Sequence, residues 1–203
     1  MLKRIFDLLL SFLILLITLP FYTFIGLAIK LNSKGPIFYT QPRVGRDCST
    51  FKIIKFRTMV IDHQFNSSIT IKNDPRITSL GKFLRRYKID EWPTLLNVIK
   101  SEMSFVGPRP EAPKYVALYT KEQKKVLTVK PGITDLATIA YNNEAALMSN
   151  TDDSEDIYIK QIMPGKLKLN SKYIESQTLI TDAKIIFKTT IQFFLFLEFK
   201  SSQ

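Results

Sequence analysis

Residues 8–29, "LLLSFLILLITLPFYTFIGLAI", form the stretch that decides the class of fold. These 22 residues carry no charge, and as a straight helix they would extend about 33 Å at ~1.5 Å per residue. A hydrocarbon core is about 30 Å thick, so the stretch is long enough to cross a membrane. A cleaved signal peptide is disfavoured because the stretch is long, Asp7 precedes it, and no small-x-small cleavage site follows it.

Two features of the stretch disfavour a simple transmembrane span. Pro20 lies near its middle, where it removes a backbone hydrogen bond, and each half is too short to cross alone. Basic residues flank both ends, namely Lys3, Arg4, Lys30, Lys34, Arg43 and Arg46. The positive-inside rule disfavours moving either group across the membrane. A re-entrant helix that bends at Pro20 satisfies both constraints, and a spanning helix is the alternative, since proline is tolerated in such helices.

The composition limits the remainder of the chain to one domain. The sequence has 203 residues, of which 45% are apolar, with one cysteine and one histidine. An internal disulfide is excluded, and a histidine-rich or structural zinc site is disfavoured. The basic cluster after the apolar stretch places the C-terminal domain in the cytoplasm. We therefore divide the chain into a membrane-inserted helix, residues 1–34, and a cytoplasmic domain, residues 35–203.

The net charge of +11 is compatible with nucleic acid, an anionic membrane surface or phosphorylated substrates as partners. The charge is regional: residues 72–130 hold 13 Lys and Arg against 6 Asp and Glu, and no basic residue lies between Lys130 and Lys160. A nucleic-acid binder would explain the charge, but the chain has no recognised nucleic-acid-binding motif. We therefore predict no nucleic-acid partner.

The pattern after residue 34 predicts an α+β domain. "IFYTQ" and "TFKIIKFRTM" flank a short "RVGRD" connection, which is typical of a β-hairpin. Residues 61–73 are polar and predict a surface loop. In "TSLGKFLRRYKIDEW" the apolar residues recur with helical spacing, and Thr78 or Ser79 is available as the N-cap. Residues 182–199, rich in phenylalanine with lysines at intervals, predict either a core helix or, as we favour, a helix on the membrane surface.

The carboxylate doublet Asp90–Glu91 raises the question of chemistry. A second helix is predicted to begin there with Asp90 as its N-cap, which would favour the ionised carboxylate. A cap and a first-turn acid without any chemical role form the alternative. Several basic side chains favour a phosphate-binding site instead: Lys55 and Arg57 on a strand, Arg85 upstream, and Arg109 between two prolines.

Taken together, six segments resemble the bacterial sugar transferases known as monotopic phosphoglycosyl transferases. These segments are "KRIFDLLLSFLILLITLP", "GPIFYTQPRVG", "FKIIKFRTM", "DPRITSLGKFLRR", "IDEWPTLLNVIKSEMSFVGPRP" and "KPGIT". They cover nearly the whole chain in the family's order and spacing. The chain departs from the family pattern after "PGIT", where Asp135 to Thr138 replace a segment that commonly begins with glycine, and at Asn170, where aspartate is common.

The resemblance implies transfer of a phosphosugar from a UDP-sugar to a polyprenol phosphate, usually undecaprenyl phosphate. The location it implies is the cytoplasmic face of the bacterial inner membrane, and it allows a homo-oligomer. It identifies Asp90 with the nucleophile of a covalent mechanism and Glu91 with the ligand of a Mg²⁺ cofactor. It further implies phosphate binding by Lys55, Arg85 and Arg109, and it places the "PGIT" turn, with Thr134, near that site. Arg57, on the same predicted strand as Lys55, is a further candidate for phosphate or substrate binding. A catalytically inactive membrane-bound scaffold of the same fold is the alternative, and retention of the doublet disfavours it.

Overall fold

A computed structural model describes residues 1–60, 74–141 and 154–201, with side chains described up to residue 198. The surface loop predicted for residues 61–73 therefore lies outside the described residues. The α-helices are α1 (Leu2–Asn32), α2 (Ser79–Arg86), α3 (Thr94–Ile99), α4 (Pro113–Val116), α5 (Leu136–Ala140), α6 (Ser154–Ile157), α7 (Met163–Glu175) and α8 (Leu179–Ser201). The strands are β1 (Phe38–Val44), β2 (Thr50–Phe56), β3 (Ser104–Val106) and β4 (Gly132–Thr134). This mixture of helices and two small sheets agrees with the predicted α+β class.

Helix α1 is one uninterrupted helix of 31 residues that runs through Pro20. By length and composition, it is the one helix of the described chain that is suited to cross a membrane. Pro20 has no backbone N–H, so the carbonyl four residues earlier lacks its helical donor. In the preceding turn, the Thr18 hydroxyl donates to the Ile14 carbonyl at 2.8 Å. Most of the large apolar side chains on α1 are exposed, whereas Ser11, Gly26 and Ile29 lie on its buried face.

The start of α1 is bound to the rest of the domain by three charged side chains. Arg4 donates to the carbonyls of Val98 (2.7 Å) and Ile99 (3.0 Å) at the end of α3. The buried Asp7 carboxylate accepts from the Ser104 hydroxyl at 2.7 Å and from a neighbouring backbone N–H. Lys3 forms an ion pair with Asp182 of α8. We call this set of contacts the N-terminal latch.

The end of α1 is bound to the same domain. The Arg57 guanidinium donates to the carbonyls of Ser33 and Lys34, which follow the last turn of the helix. Ile29 packs with the buried side chains of Phe56 and Leu84. Both ends of α1 therefore contact one body, and the predicted membrane segment is also a packing element of the domain.

Strands β1 and β2 form the antiparallel hairpin that the sequence predicted, with Tyr39 opposite Lys55. Asn97 of α3, which is fully buried, fastens this hairpin to the helix. It donates to the Lys52 carbonyl at 2.8 Å and accepts from the Ile54 N–H at 3.0 Å. The position of Lys55 at the end of β2 is therefore fixed relative to α3.

Strands β3 and β4 form a short parallel pair whose backbones approach closely. A Cβ atom placed on Gly132 would lie 2.1 Å from the Gly107 nitrogen, so only glycine fits there. The Gly132 N–H donates to the Pro108 carbonyl at 2.9 Å. This pairing holds the "GPRP" loop, residues 107–110, against the "PGIT" segment, residues 131–134.

Candidate active site

The carboxylate doublet lies in a tight turn between α2 and α3. The predicted N-cap of α2 is confirmed: the Thr78 hydroxyl accepts from the Gly81 N–H at 2.9 Å. After α2 the chain reverses through Lys88, which has a left-handed conformation (φ 56°, ψ 18°), into a 3₁₀ turn, Ile89–Glu91. The expectation that Asp90 caps the following helix was wrong, since α3 begins at Thr94. Because the chain reverses at the left-handed Lys88, the 3₁₀ turn Ile89–Glu91 separates α2 from α3.

Glu91 lies at the centre of the charged side chains. Its Oε1 atom accepts from Lys55 Nζ and from Arg109 Nη2, each at 2.6 Å. Burial alone would raise the pKa of Glu91, but the positive charges of Arg109 and Lys55 hold it well below its usual range. In turn, the negative charge of Glu91 raises the pKa of Arg109. Glu91 therefore stays ionised and fixes the positions of the Lys55 and Arg109 side chains.

Asp90 has the opposite character. Its side chain is buried, with the residue 8% exposed, and its Oδ1 atom has no hydrogen-bond partner among the described residues. Burial, followed by the negative charge of Glu91, raises the pKa of Asp90. The expectation of a lowered pKa was wrong because Asp90 does not cap α3 and desolvation is the largest effect. Two neighbouring acids with pKa values shifted in opposite directions are typical of sites where each has a separate role.

The other predicted site residues divide into two groups. Arg85 is close to the doublet: its Nε donates to the Thr58 hydroxyl at 2.8 Å, and the Asp90 charge acts on it. Arg57 instead binds the carbonyls at the end of α1, as described above. The Thr134 hydroxyl is within 2.8 Å of the Thr189 hydroxyl on α8. The structure therefore brings Lys55, Arg85 and Arg109 to the doublet, while the side chains of Arg57 and Thr134 are directed elsewhere.

Asp135 was missed as a site residue by the sequence analysis. It is fully buried, and its Oδ2 atom accepts from the Arg109 backbone N–H at 3.0 Å, while Oδ1 accepts from the Thr138 N–H at 2.5 Å. The signal in the sequence was an aspartate directly before the helical "LATIA", which is a typical N-cap. Asp135 therefore supports the arginine that binds Glu91.

The cleft beside the doublet has a volume of about 300 Å³, including its open mouth. Its charged lining side chains are Arg43, Lys55, Glu91 and Arg109. Within the described part of the chain, no three His, Cys, Asp or Glu side chains form a metal site by themselves. A Mg²⁺ ion needs less from the protein, because it usually binds one or two carboxylates and takes its other ligands from water and substrate phosphates. The unpartnered Asp90 oxygen beside Glu91 fits such an ion.

Arginine and lysine side chains held in place at a cleft are typical of sites that bind phosphate groups. The family is established by comparison with known proteins. Residues 1–195 match the model of the family described as bacterial sugar transferase, and the chain belongs to this family. The predicted resemblance is thereby confirmed.

Three relatives illustrate the similarity. An undecaprenyl-phosphate glucose phosphotransferase of Komagataeibacter xylinus is 39% identical over 92% of this chain, which spans 35% of that protein. The exopolysaccharide production protein PSS of Rhizobium leguminosarum bv. phaseoli is 37% identical over 94% of both chains. A UDP-glucose:undecaprenyl-phosphate glucose-1-phosphate transferase of Escherichia coli K12 is 36% identical over 96% of this chain and 40% of its own length. The chain thus spans about a third of the first relative and nearly all of the second.

Proposed function

We propose that the protein transfers a phosphosugar from a UDP-sugar to undecaprenyl phosphate, or a similar polyprenol phosphate, and releases UMP. The observation that carries the proposal is the buried Asp90 oxygen, which has no hydrogen-bond partner in the described part of the chain and lies beside a glutamate that holds Lys55 and Arg109. The names of the relatives support these substrates. They differ in the sugar, with glucose and galactose both represented, so the proposal stops at a UDP-sugar.

The reaction is proposed to proceed in two steps. An Asp90 carboxylate oxygen forms a bond to the phosphorus next to the sugar, and the bond from that phosphorus to the bridging oxygen breaks, so that UMP leaves with the electron pair. A phosphate oxygen of the polyprenol phosphate then attacks the same phosphorus, and the bond to Asp90 breaks. The acyl phosphate on Asp90 is thereby exchanged for a new diphosphate, and the carboxylate is restored.

The surrounding residues have separate tasks in this scheme. Lys55 and Arg109 bind the diphosphate oxygens, and Arg85 adds positive charge near Asp90. Mg²⁺, held by Glu91 with the neighbouring carboxylate, would neutralise diphosphate charge, which otherwise repels the attacking anion. The raised pKa of Asp90 reflects its removal from water, which also protects an acyl phosphate from hydrolysis.

The test separates a covalent step from direct transfer between the two substrates. With UDP-sugar and Mg²⁺ but no lipid acceptor, the wild-type protein is expected to release at most one UMP per site and to gain the mass of a phosphosugar. Asp90→Asn should give neither UMP nor adduct. Asp47→Asn is the matched control, because Asp47 is exposed and in a conformation that asparagine tolerates, and it should behave as wild type. Full turnover with the acceptor but no adduct in its absence would refute the aspartyl intermediate.

We also propose that α1 is re-entrant and that the domain lies on the cytoplasmic face of the bacterial inner membrane. The N-terminal latch and Arg57 bind opposite ends of α1 to one domain, which supports placing both ends on one side. Helix α8 also exposes large apolar side chains; they include Phe187, Ile191, Phe194 and Leu195. The exposure of these side chains favours the membrane-surface position of α8 over a core position.

Cysteine labelling tests the sidedness of α1. Cys48 is the one cysteine of the sequence and is exposed on the hairpin connection. It reports the side of the domain, and Leu2→Cys in a Cys48→Ser background reports the side of the helix start. With an impermeant reagent on intact spheroplasts, both positions should be protected, and both should react after lysis. Labelling of Leu2→Cys alone in intact spheroplasts would establish a spanning helix.

A further inference from the structure

The Arg85 guanidinium takes its orientation from an uncharged neighbour. Its Nε atom donates to the Thr58 hydroxyl at 2.8 Å. Burial lowers the pKa of Arg85, and the negative charges of Asp90 and Asp74 act against this shift. In the described part of the chain, neither carboxylate forms a hydrogen bond with Arg85, and Asp74 is bound by Arg76 instead. The charges therefore attract the guanidinium, while the directional contact comes from Thr58.

Gly81 allows the segment that carries Thr58 to contact α2. A Cβ atom placed on Gly81 would lie 2.0 Å from the Thr58 carbonyl oxygen, so a larger residue would push the segment away. Gly81 and Arg85 are about one turn apart on α2 and lie on the same face, and side chains of a helix lean towards its N-terminus. The Arg85 side chain is therefore directed back towards the residue that contacts Gly81.

Thr58 is itself held in place by the chain that leads into α2. Its carbonyl accepts from the Thr78 N–H at 3.0 Å. Next to it, Met59 and Ile77 form an antiparallel bridge. Thr58 is 5% exposed, so water competes little for its hydroxyl. A hydrogen bond in such surroundings is stronger than one in water. The hydroxyl is therefore a fixed acceptor for the Arg85 side chain.

A long arginine side chain loses rotamer freedom when it binds a phosphate, and this loss is smaller if the side chain is already ordered. We propose that Thr58 is a positioning residue for Arg85. By accepting from Nε, its hydroxyl leaves the two Nη nitrogens to bind oxygens of the phosphoryl group at Asp90. This inference rests on the proposed function, since that function places the phosphoryl group at Asp90.

Two substitutions at residue 58 separate the hydroxyl from packing. Valine replaces the hydroxyl with a methyl group and leaves the Arg85 Nε–H without its acceptor, whereas serine keeps the hydroxyl and loses the methyl group. In Thr58→Val, kcat/KM for the UDP-sugar should fall by roughly tenfold or more. Thr58→Ser should stay within about threefold of wild type, even if its Tm is lower. If Thr58 only fills space, the order of the two variants is reversed.

A double-mutant cycle tests whether Thr58 acts through Arg85. Arg85→Lys keeps a positive charge but has no planar guanidinium for the hydroxyl to orient. This variant should be less active than wild type, and adding Thr58→Val to it should change kcat/KM by less than about twofold. A purely structural effect of Thr58→Val would instead be equally large in both backgrounds, as expected for independent sites.

Binding of inorganic diphosphate with Mg²⁺ gives a readout that needs no turnover. Its affinity should fall by roughly threefold to tenfold in Thr58→Val, change little in Thr58→Ser, and fall no further when Thr58→Val is added to Arg85→Lys. Wild-type behaviour of Thr58→Val, or its full effect in the Arg85→Lys background, would overturn the positioning role while leaving the proposed transfer intact. The expected order of diphosphate affinities, in a protein that releases no UMP from any UDP-sugar, would support the positioning role and overturn the proposed function.

Discussion

Replacing Asp135 by asparagine tests how the position of Arg109 is maintained. The carboxylate accepts from two backbone N–H groups, that of Arg109 at 3.0 Å and that of Thr138 at 2.5 Å. Asparagine has one acceptor oxygen, and it is as good an N-cap as aspartate. The oxygen is therefore expected to stay with Thr138, and the amide NH₂ would then face the Arg109 N–H, donor against donor.

The expected loss of activity follows from the lost hydrogen bond between the Arg109 N–H and the residue 135 side chain. A hydrogen bond to a charged group contributes about 1.5–3 kcal/mol. If that loss is expressed entirely as displacement of Arg109, kcat/KM for the UDP-sugar falls by roughly tenfold to a hundredfold, at about 1.4 kcal/mol per tenfold. The loss should appear mainly in KM, because Arg109 is proposed to bind the diphosphate before any bond changes. The assay is UMP release at varied UDP-sugar concentration with saturating lipid acceptor.

Asp182→Asn is the matched control for this prediction. Asp182 is also a fully buried aspartate with two donors, Lys3 and Tyr173, but it belongs to the N-terminal latch and not to the active site. Both variants should lower the Tm, and only Asp135→Asn should raise KM. An unchanged KM in Asp135→Asn, or an equal rise in both variants, would refute a positioning role for Asp135.

Three further predictions concern charge, packing and the membrane surface. Activity is expected to require ionised Asp90 and to be lost as pH falls through its raised pKa. Glu91→Gln removes one cause of that increase, so the acidic limb of its residual pH–rate profile should move to lower pH. Gly132→Ala should lower stability by about 3 kcal/mol or more in thermal unfolding, because the new Cβ would lie 2.1 Å from the Gly107 nitrogen. Phe194→Glu should weaken co-sedimentation with anionic vesicles at unchanged Tm, since that ring is 60% exposed.

The sequence predicted the elements whose signals are local. The hairpin was indicated by two apolar runs around turn residues, and α2 by helical spacing with Thr78 as its cap. Lys55 and Arg109 were assigned to the doublet by resemblance, and the structure places both on Glu91. Each of these assignments rests on a short pattern or on a family motif, and tertiary packing did not change them.

The parts that the sequence did not predict depend on contacts between distant segments. Asp90 looked like a helix cap, but the left-handed Lys88 inserts a turn, and burial then decides the pKa. Arg57 was predicted, together with Lys55, as a phosphate-binding cation on a strand near the doublet, yet it binds carbonyls more than twenty residues earlier. The role of Asp135 depends on the pairing of the "PGIT" segment with the "GPRP" loop, because that pairing brings the Arg109 N–H to the Asp135 carboxylate.

The N-terminal latch also sets an order of events during synthesis. Lys3 and Asp182 are separated by 179 residues in the chain. At about 5–20 residues per second, roughly 10–40 s pass before the partner of Lys3 is made. During that interval the latch cannot close, and the exposed apolar side chains of α1 are available to lipid, so we expect membrane insertion to precede closure of the domain. A nascent chain stopped before Asp182 should therefore be membrane-bound but easily cleaved by protease, and it should become resistant only when α8 is complete.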